Sequence, residues 1–240
     1  MTPPQDTMER IVPDEVKEDD AAARLSLKLH LERYQFACAH LTPGMVLDIA
    51  CGTGYGTWLM ATHSRNFCVG VDISPEAIQY ANERYAHKDT VFVCDDIMKY
   101  TNDELFMNIV SLETIEHVKD PEEVIMHLSG LLLPGGRMIV SVPITPSVDA
   151  NPFHVNDFTA SSFRKLFKRF GLAEKASLIQ KQPYSLKEIF SKKRKTTGHI
   201  RRGLMGYYLS NPGKLFLRIK SLFADGLTNK YLVLVLEKPH

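Results

Sequence analysis

A short stretch near the middle of the chain combines carboxylates and an imidazole directly after an apolar run. SLETIEHVKDP, residues 111–121, places Glu113, Glu116 and His117 within five residues, and His154 follows in the polar loop NPFHVNDFT. Two carboxylates and two neutral imidazoles form a mixed oxygen and nitrogen ligand set for a divalent ion such as Mg²⁺ or Mn²⁺. Such groups can also take a proton from an alcohol, whose pKa lies far above neutrality. We predict a metal site from these four residues, and catalytic roles for His117, His154 and Glu116.

This prediction depends on how the stretch folds. If a helical turn begins at Glu113, residues i+3 and i+4 point to the same side as Glu113 itself. The alternative is structural: the acidic residues solvate or cap the start of a helix, and the histidine packs in a pocket without a metal. Both readings remain open on the sequence alone.

A glycine-rich loop supplies a second candidate site. VLDIACGTGYGTWL places Asp48 on a predicted strand and Gly52, Gly54 and Gly56 between that strand and a helix. Glycines let the chain turn tightly and let a ligand lie against bare backbone at a helix N-terminus. The spacing D-x-x-C-G-x-G-x-G differs from the G-x-G-x-x-G of a dinucleotide site. A nucleotide-like ligand other than a dinucleotide is therefore expected here.

Acidic residues also end the next two predicted strands. VGVDIS ends in Asp72, which is placed to accept hydrogen bonds from two ribose hydroxyls, and VFVCDDIM ends in Asp95 and Asp96, either of which can accept from an adenine amine. The carboxyl ends of parallel strands meet at the edge where open α/β sheets bind ligands. Three acids at that edge would repel a pyrophosphate, and this again disfavours a dinucleotide.

The elements that must position these residues alternate between strand and helix from about residue 45 to 180. This alternation predicts an α/β fold, a Rossmann-like, mostly parallel sheet of seven strands with helices on both faces. Helices are predicted over residues 56–63, 75–86, 121–131 and 160–170. The strand-like runs are MVLDIA, FCVGVDI, TVFVCDD, FMNIVSLE, GRMIVSVP, AEKASLIQKQ and KYLVLVLEK.

The chain is expected to form a single domain over residues 1–240. Residues 1–43 are predicted to be a helical lead-in, 44–184 and 229–240 the core, and 185–228 a basic insertion before the last strand. Residues 187–202 carry seven Lys or Arg and one Glu, a local charge of +6 in a chain whose formal net charge is +1. This run could be a solvated face, a nuclear-import-like peptide, an anionic-membrane contact or a clamp for a phosphorylated substrate.

Composition indicates the number of cores, the location of the protein and the redox state of its cysteines. At 240 residues with 44% hydrophobic content the chain suits one core, and no run of about 18 apolar residues could span a bilayer. The N-terminus lacks the basic flank and apolar core of a secretion signal, so we expect a cytoplasmic protein. Cys38, Cys51, Cys68 and Cys94 show no CxxC spacing and are expected to be reduced thiols. The remaining histidines, His30 among them, are expected at the surface or on helix flanks.

The glycine loop and the strand-end acids together resemble the class I S-adenosylmethionine-dependent methyltransferases over about residues 40–180. LLLPGGRMIVSVP, residues 131–143, is similar to the family's late helix, Pro-Gly-Gly turn and fifth strand. The alternative is a plain Rossmann-like domain for another nucleotide. By this resemblance Asp48 and Gly52 would contact the methionine moiety of the donor, Asp72 its ribose, and Asp96 with Ile97 its adenine, with Asp95 as the alternative acid. The donor-binding residues expected are Asp48, Cys51, Gly52, Gly54, Tyr55, Asp72, Ile73, Asp95, Asp96, Ile97 and Glu113.

Two narrower resemblances bear on the acceptor. MERIVP and HLERYQFACAHLTPGMVLDIACGTGYG resemble the lead-in of methyltransferases found with bacterial surface-polysaccharide systems, and E-x-x-E-H with a later histidine is similar to the metal sites of small-RNA ribose 2′-hydroxyl methyltransferases and ubiquinone-pathway O-methyltransferases. They imply S-adenosylmethionine as donor, Mg²⁺ or Mn²⁺ as a further cofactor, and O-methylation of a sugar, a glycan intermediate or another small anionic acceptor, including phosphorylated ones. The alternatives are an RNA ribose 2′-O-methyltransferase and an inactive donor-binding scaffold.

Overall fold

The computed structural model describes residues 10–183 and 204–240, so the basic run 187–202 lies outside the described residues. One seven-stranded sheet runs through these two ranges in the order β3-β2-β1-β4-β5-β7-β6. The strands are β1 (Val46–Ile49), β2 (Cys68–Asp72), β3 (Thr90–Cys94), β4 (Phe106–Leu112), β5 (Leu132–Pro143), β6 (Ala173–Pro183) and β7 (Thr228–Glu237).

The helices alternate with these strands, as the sequence predicts. The four helices predicted over residues 56–63, 75–86, 121–131 and 160–170 form within two residues of their expected bounds. The helices are α1 (Ala21–His40), α2 (Tyr55–Ser64), α3 (Pro75–Tyr85), α4 (Pro121–Leu131), α5 (Ala160–Lys168), α6 (Leu204–Ser210) and α7 (Pro212–Asp225), and Pro13–Glu15 and Ile115–His117 form short 3₁₀ turns.

The sheet is mostly parallel, which confirms the predicted Rossmann-like α/β fold. Strands β1 to β5 pair in parallel, whereas β7 is antiparallel to both β5 and β6. Side chains of β7 alternate between the two faces: Leu234 packs in a core with α4 and α5, and Val233 and Val235 pack with α1 and α2. Helices therefore cover both faces, and β1, which lies between β2 and β4, marks the switch point of the sheet.

Helix starts follow local capping chemistry. Asp20 accepts a hydrogen bond from the backbone N–H of Ala23, so α1 begins at Ala21, inside the helical lead-in predicted over residues 1–43. Asp120 caps α4 in the same way, directly before a proline that suits the first helical position. The cap on α4 fixes where the chain leaves the carboxyl edge of the sheet after β4.

The predicted Pro-Gly-Gly turn is not a separate element, because α4 ends at Leu131 and β5 begins at once. Strand β5 already begins at Leu132, which pairs with Phe106, and the register then jumps so that Arg137 pairs with Asn108. The intervening residues form an irregularity in which Gly135 has a φ of +73° and donates to the carbonyl of Lys238. The glycine pair therefore makes a bulge inside a strand, because Lys238, directly after β7, supplies a backbone partner there.

The segment before β7 is helical where it is described. Helices α6 and α7 cover residues 204–210 and 212–225 and contact each other. In the described part of the chain, none of the helices combines the length and the apolar content that spanning a lipid bilayer requires.

Candidate functional site

A cavity of about 320 Å³ opens at the carboxyl ends of β1 to β4. Two of its lining residues, Ala50 and Glu113, have the positive φ values of 60° and 53° that are uncommon outside glycine. Strained backbone of this kind concentrates at functional sites. The cavity walls include most of the residues predicted to bind a donor, namely Cys51, Gly52, Tyr55, Asp72, Ile73, Asp95, Asp96, Ile97 and Glu113, together with His117.

Asp72 is the most connected acid of the cavity. Its carboxylate accepts hydrogen bonds from the backbone N–H groups of Gly52 and Ser74, each at 2.9 Å, and from the guanidinium of Arg10 at 2.9 Å. Gly52 has a φ of +56°, a left-handed conformation that a glycine adopts without strain and that turns its N–H toward this carboxylate. The loop after β1 and the end of β2 are thereby held together by one side chain.

The acids after β3 lie on the same wall. Asp95 accepts from the backbone N–H of Asp96 at 2.8 Å, and Asp96 accepts from that of Met98 at 2.9 Å. Ile73 and Ile97 add apolar surface beside them, and Ile73 is 55% exposed. A flat ring with an exocyclic amine matches this combination of apolar surface and acceptors.

Asp48 and Gly54 lie beneath the loop and do not line this cavity. The Asp48 carboxylate accepts from the Thr57 hydroxyl at 2.6 Å and more weakly from the Tyr34 hydroxyl at 3.4 Å. A Cβ on Gly54 would come within 2.6 Å of Ala81, so this glycine is required for packing between α2 and α3. The described contacts thus show that both residues support the structure of the loop. Direct contact of these residues with the donor stays a prediction.

Burial raises the pKa of the Asp48 carboxyl to about 7, against hydrogen bonds from Thr57 and Tyr34 that lower it. Because the folded-state pKa lies above the ordinary value of 3.8, the folded protein binds more protons than the unfolded chain between those values. The stability contributed by this group is therefore present at low pH and is lost as the pH rises toward about 7.

Replacing Asp48 with asparagine should remove this dependence. We expect Asp48→Asn to have a higher free energy of unfolding than the wild type at about pH 8, and a flatter pH dependence between about pH 4 and 7. Urea denaturation at several pH values measures both. Asp103→Asn, at an exposed position, is the matched control, and a variant that is less stable than wild type at alkaline pH would contradict the assignment.

Glu113 does not join the predicted metal site in the described structure. Its carboxylate accepts from the Ser141 hydroxyl at 2.6 Å and faces the buried guanidinium of Arg33 at 3.9 Å. The prediction assumed a helical turn that begins at Glu113. Instead, Glu113 has a left-handed φ, the 3₁₀ turn starts only at Ile115, and Glu113 lies outside the group of ligand atoms formed by Glu116, His117 and His154. Glu113 therefore stands apart from the other three predicted ligands and lines the cavity instead.

The other three residues of that prediction come together. Glu116, His117 and His154 each offer a ligand atom, and these atoms lie within 4.8 Å of one another. The two imidazoles meet edge to face with their centroids 4.6 Å apart. Backbone hydrogen bonds hold the two segments in register, since the carbonyl of Glu116 accepts from the N–H groups of Val155 and Asn156. His117 also lines the cavity, so the cluster borders it directly.

The tautomer of His117 follows from the hydrogen-bond partner of its Nδ1. Its Nδ1 lies 3.1 Å from the backbone carbonyl of Phe153, which can only accept, so Nδ1 carries the proton. Nε2 is then the basic nitrogen of the neutral ring. This arrangement suits either a metal ligand or a general base.

His154 is held by a network that reaches α7. Its Nδ1 lies 2.7 Å from the hydroxyl of Ser147, whose backbone N–H donates to Asp157 at 2.7 Å. The Asp157 carboxylate also accepts from Lys214 on α7 at 2.6 Å. Burial raises the pKa of Asp157, but the hydrogen bonds from Lys214 and from the backbone of Ser147 and Val148 outweigh it and leave the pKa below its ordinary value. An ionised Asp157 thus fixes the loop that carries His154.

The sequence did not predict several of the residues that line the cavity, and Arg10 and His30 are the most important of them. His30 was expected at the surface or on a helix flank; it lies half-buried on α1, where its Nδ1 contacts the hydroxyl of Tyr55 at 3.1 Å, and burial followed by the charge of Arg33 lowers its pKa. The spacing of His30 four residues before Tyr34, on the buried side of α1, was the available signal. Arg10 offered none, because its place depends on the pairing with Asp72.

The cavity is suited to a cationic, nucleoside-bearing ligand. Its acids are Asp72, Asp95, Asp96 and Glu113, against the cation of Arg10. Acidic walls favour a positive ligand, and the apolar isoleucines and strand-end acceptors favour a nucleoside.

Comparison with known proteins agrees with this chemistry. Residues 21–174, more than half of the chain, match the family model of a methyltransferase domain. The chain is 33% identical over 122 residues to phosphoethanolamine N-methyltransferase 1 of Arabidopsis thaliana, covering 48% of this chain and 25% of that protein. It is 33% identical over 100 residues to the ubiquinone biosynthesis O-methyltransferase of Coxiella burnetii, covering 40% and 42%. The chain thus spans less than half of the length of these curated relatives.

Solved structures show the same fold. The N-methyltransferase NodS of Bradyrhizobium japonicum, in complex with S-adenosyl-L-homocysteine, superimposes with a TM-score of 0.62 at 17% identity, over 92% of this chain and 90% of NodS. The phosphoethanolamine N-methyltransferase 2 of Haemonchus contortus, in complex with S-adenosyl-L-methionine, superimposes with a TM-score of 0.60 at 16% identity, over 89% and 53%. The family match, the strand order and the acid-lined cavity lead to one conclusion: the chain belongs to the class I S-adenosylmethionine-dependent methyltransferases.

Proposed function

We propose that this methyltransferase acts on a hydroxyl oxygen of a small anionic acceptor, such as a sugar, a glycan intermediate or a phosphorylated metabolite. The observation that carries the proposal is the cluster of Glu116, His117 and His154 beside the donor cavity. An alcohol needs help to lose its proton, and this cluster offers a basic nitrogen where the acceptor would approach. The lead-in resemblance to polysaccharide-system methyltransferases supports a sugar-like acceptor.

In this proposal different cavity residues bind different parts of the donor. Asp72 binds the ribose hydroxyls, Asp96 accepts from the adenine amine with Asp95 beside it, and Ile73 and Ile97 hold the adenine ring between apolar surfaces. Cys51, Gly52, Tyr55 and Glu113 surround the methionine part, and the burial that raises the pKa of Cys51 keeps its thiol protonated and unreactive.

The donor supplies a methyl group on a sulfonium sulfur, which is already activated for in-line displacement. The protein therefore has two tasks, to hold the acceptor oxygen in line and to remove its proton. Nε2 of His117 accepts that proton. The backbone carbonyl of Phe153 accepts a hydrogen bond from Nδ1 and so keeps the ring in the required tautomer. His154 and Glu116 orient the acceptor hydroxyl.

The same cluster fits a divalent ion. One carboxylate and two imidazoles within 4.8 Å are a ligand set for Mn²⁺ or a related ion, and open positions would remain for the acceptor. Glu116, His117 and His154 would be its ligands, and Nε2 of His117 would then bind the ion in place of accepting the proton. Such an ion would polarise the acceptor hydroxyl.

Removing one ligand should separate metal binding from donor binding. We expect His154→Ala to lower the affinity for Mn²⁺ by about tenfold or more, while S-adenosylhomocysteine binding stays within about twofold of wild type. Calorimetry of the metal-stripped protein measures both quantities. His63→Ala, at an exposed position on α2, is the control. Activity that survives prolonged chelation and does not respond to added Mg²⁺ or Mn²⁺ would contradict the metal role.

An acceptor panel tests the function itself. The protein is incubated with labelled donor and with matched hydroxyl and amine acceptors, including sugar phosphates, nucleotide sugars and phosphoethanolamine, and S-adenosylhomocysteine and product masses are measured. Transfer to a hydroxyl supports the proposal, and transfer only to the amine overturns it. An RNA ribose methyltransferase would instead protect an RNA 3′ end and lose binding steeply with salt. An inactive scaffold would bind donor and form no S-adenosylhomocysteine with any pool.

A further inference from the structure

The hydroxyl of Ser147 has two acceptors within reach, and only one of them has room for its hydrogen. Its Oγ lies 2.7 Å from Nδ1 of His154 and 3.5 Å from Oδ1 of Asp157. That carboxylate oxygen already accepts two backbone N–H groups, from Ser147 at 2.7 Å and from Val148 at 3.0 Å. A carboxylate oxygen has about two acceptor sites, and O–H···O hydrogen bonds are ordinarily shorter than about 3.0 Å. The hydroxyl of Ser147 therefore donates to His154.

This hydrogen bond fixes the tautomer of His154. A neutral imidazole has one N–H and one accepting nitrogen, so a ring whose Nδ1 accepts from Ser147 carries its hydrogen on Nε2. His117 has the opposite tautomer, because its Nδ1 faces the backbone carbonyl of Phe153, which can only accept. The cluster thus combines one imidazole whose Nε2 accepts a proton with one whose Nε2 donates a hydrogen bond.

Two complementary imidazoles suit a single hydroxyl group. The oxygen of a hydroxyl accepts a hydrogen bond while its hydrogen is donated, whereas two accepting nitrogens would compete for the same proton. The ligand atoms of the cluster lie within 4.8 Å of one another. One oxygen about 2.8 Å from each of two such atoms can bridge this separation. An N–H aimed at that oxygen also stabilises the negative charge that develops as the proton leaves.

We propose that Ser147 is a positioning residue of the reaction, which holds His154 in the tautomer that donates from Nε2 to the acceptor oxygen while His117 takes the proton. The inference rests on the proposed transfer to a hydroxyl. In this step the O–H bond of the acceptor breaks, and its proton goes to Nε2 of His117. The oxygen forms a bond to the methyl carbon as the carbon–sulfur bond of the donor breaks, which leaves S-adenosylhomocysteine. His154 keeps its own hydrogen throughout.

Binding of a divalent ion by the same cluster requires the other tautomer of His154. An ion held by Nε2 needs the lone pair of that nitrogen, so the hydrogen would be on Nδ1. The hydroxyl of Ser147 would then accept from Nδ1 and turn its hydrogen toward Asp157. The position of one hydrogen on His154 therefore distinguishes the two modes of the cluster.

Nuclear magnetic resonance of the chelated protein locates this hydrogen directly. Two-bond ¹H–¹⁵N correlation spectra of the full chain with ¹⁵N-labelled histidine distinguish an N–H from a bare ring nitrogen, and His117→Ala and His154→Ala assign the two rings. The spectra are recorded at about pH 8, where an imidazole of ordinary pKa is neutral. We expect the hydrogen on Nε2 of His154 and on Nδ1 of His117.

Replacement of the hydroxyl tests the role of Ser147. Ser147→Ala retains the backbone N–H that donates to Asp157, so the loop keeps that anchor. We expect His154 to become a mixture of both tautomers and turnover at saturating donor and acceptor to fall by about tenfold or more, with S-adenosylhomocysteine affinity within about twofold of wild type. Ser147→Thr restores the hydroxyl and should recover the tautomer and most of the turnover. Ser161→Ala, at an exposed position on α5, should behave like wild type.

Two results overturn the inference. The first is a hydrogen on Nδ1 of His154 in the wild-type protein. The second is Ser147→Ala that keeps either the Nε2–H tautomer or the wild-type turnover, since a purely structural role for this hydroxyl would leave the tautomer unchanged. The tautomer is measured without an acceptor, so transfer to an amine alone would overturn the proposed function and leave the spectra of His154 as they are.

Discussion

Replacing His117 with alanine is expected to lower methyl-transfer turnover by about 10²–10⁴-fold, the usual contribution of a positioned general acid or base. Donor binding should stay within about twofold of wild type, because Asp72, Asp96 and the glycine loop are untouched. Turnover measured as S-adenosylhomocysteine release, and calorimetry with the same product, give the two numbers. The expected split arises because His117 acts on the acceptor proton and not on the donor.

Two controls make this result specific. His63→Ala removes an exposed imidazole from α2 and should leave both quantities unchanged. Added imidazole should restore part of the turnover of His117→Ala, since the free base can occupy the vacated space and accept the proton. Turnover that is unchanged in His117→Ala would remove the cluster from the mechanism. Loss of donor binding together with turnover would instead assign His117 to the architecture of the cavity.

The donor side of the site could be predicted from the sequence because its position depends on few assumptions. A parallel sheet brings the carboxyl ends of its strands to one edge, so Asp72, Asp95 and Asp96 needed only correct strand ends to be placed together. The structure puts all three on the cavity wall. Their roles toward the donor remain predictions, but their juxtaposition follows from the order of elements alone.

The acceptor side was harder because it depends on single dihedral angles and long-range contacts. No residue type signals that Glu113, which is not a glycine, takes a φ of 53°, and that one angle separates it from Glu116. Arg10 reaches the cavity through an ion pair 62 residues distant in sequence. Periodicity predicts which residues share a face of an element, and it does not predict which distant group that face meets.

Helix α7 illustrates the same limit. Its residues fall in the predicted insertion 185–228, and the structure folds them into a helix. The pattern could not say which face turns inward, since an apolar stripe normally does. Asp149 and Asp157 reverse that choice by pairing with Arg218 and Lys214. Burial raises the pKa of Asp149, but the Arg218 hydrogen bonds outweigh it and hold that pKa below its ordinary value, so the carboxylate keeps its charge inside the protein.

Replacing Asp72 with asparagine is expected to weaken donor binding by about 10²-fold, because two hydrogen bonds from ribose hydroxyls to a charged acceptor would be lost or reversed. The amide of asparagine would also turn a donor toward the N–H of Gly52 or Ser74, which now donate to this carboxylate. Calorimetry with S-adenosylhomocysteine measures the change. Asp103→Asn, which alters the same residue type at an exposed position, should bind like wild type. An Asp72→Asn affinity within about twofold of wild type would exclude the ribose contact.

The same variant also separates the two halves of the site. At saturating donor, Asp72→Asn should recover most of the wild-type turnover, since its defect lies in binding and not in proton removal. His117→Ala should recover none, because no donor concentration replaces the missing base. An equal loss of turnover in both variants at saturating donor would mean that the ribose contact at Asp72 is required to align the methyl group. The cavity and the cluster of Glu116, His117 and His154 would then act as one catalytic unit.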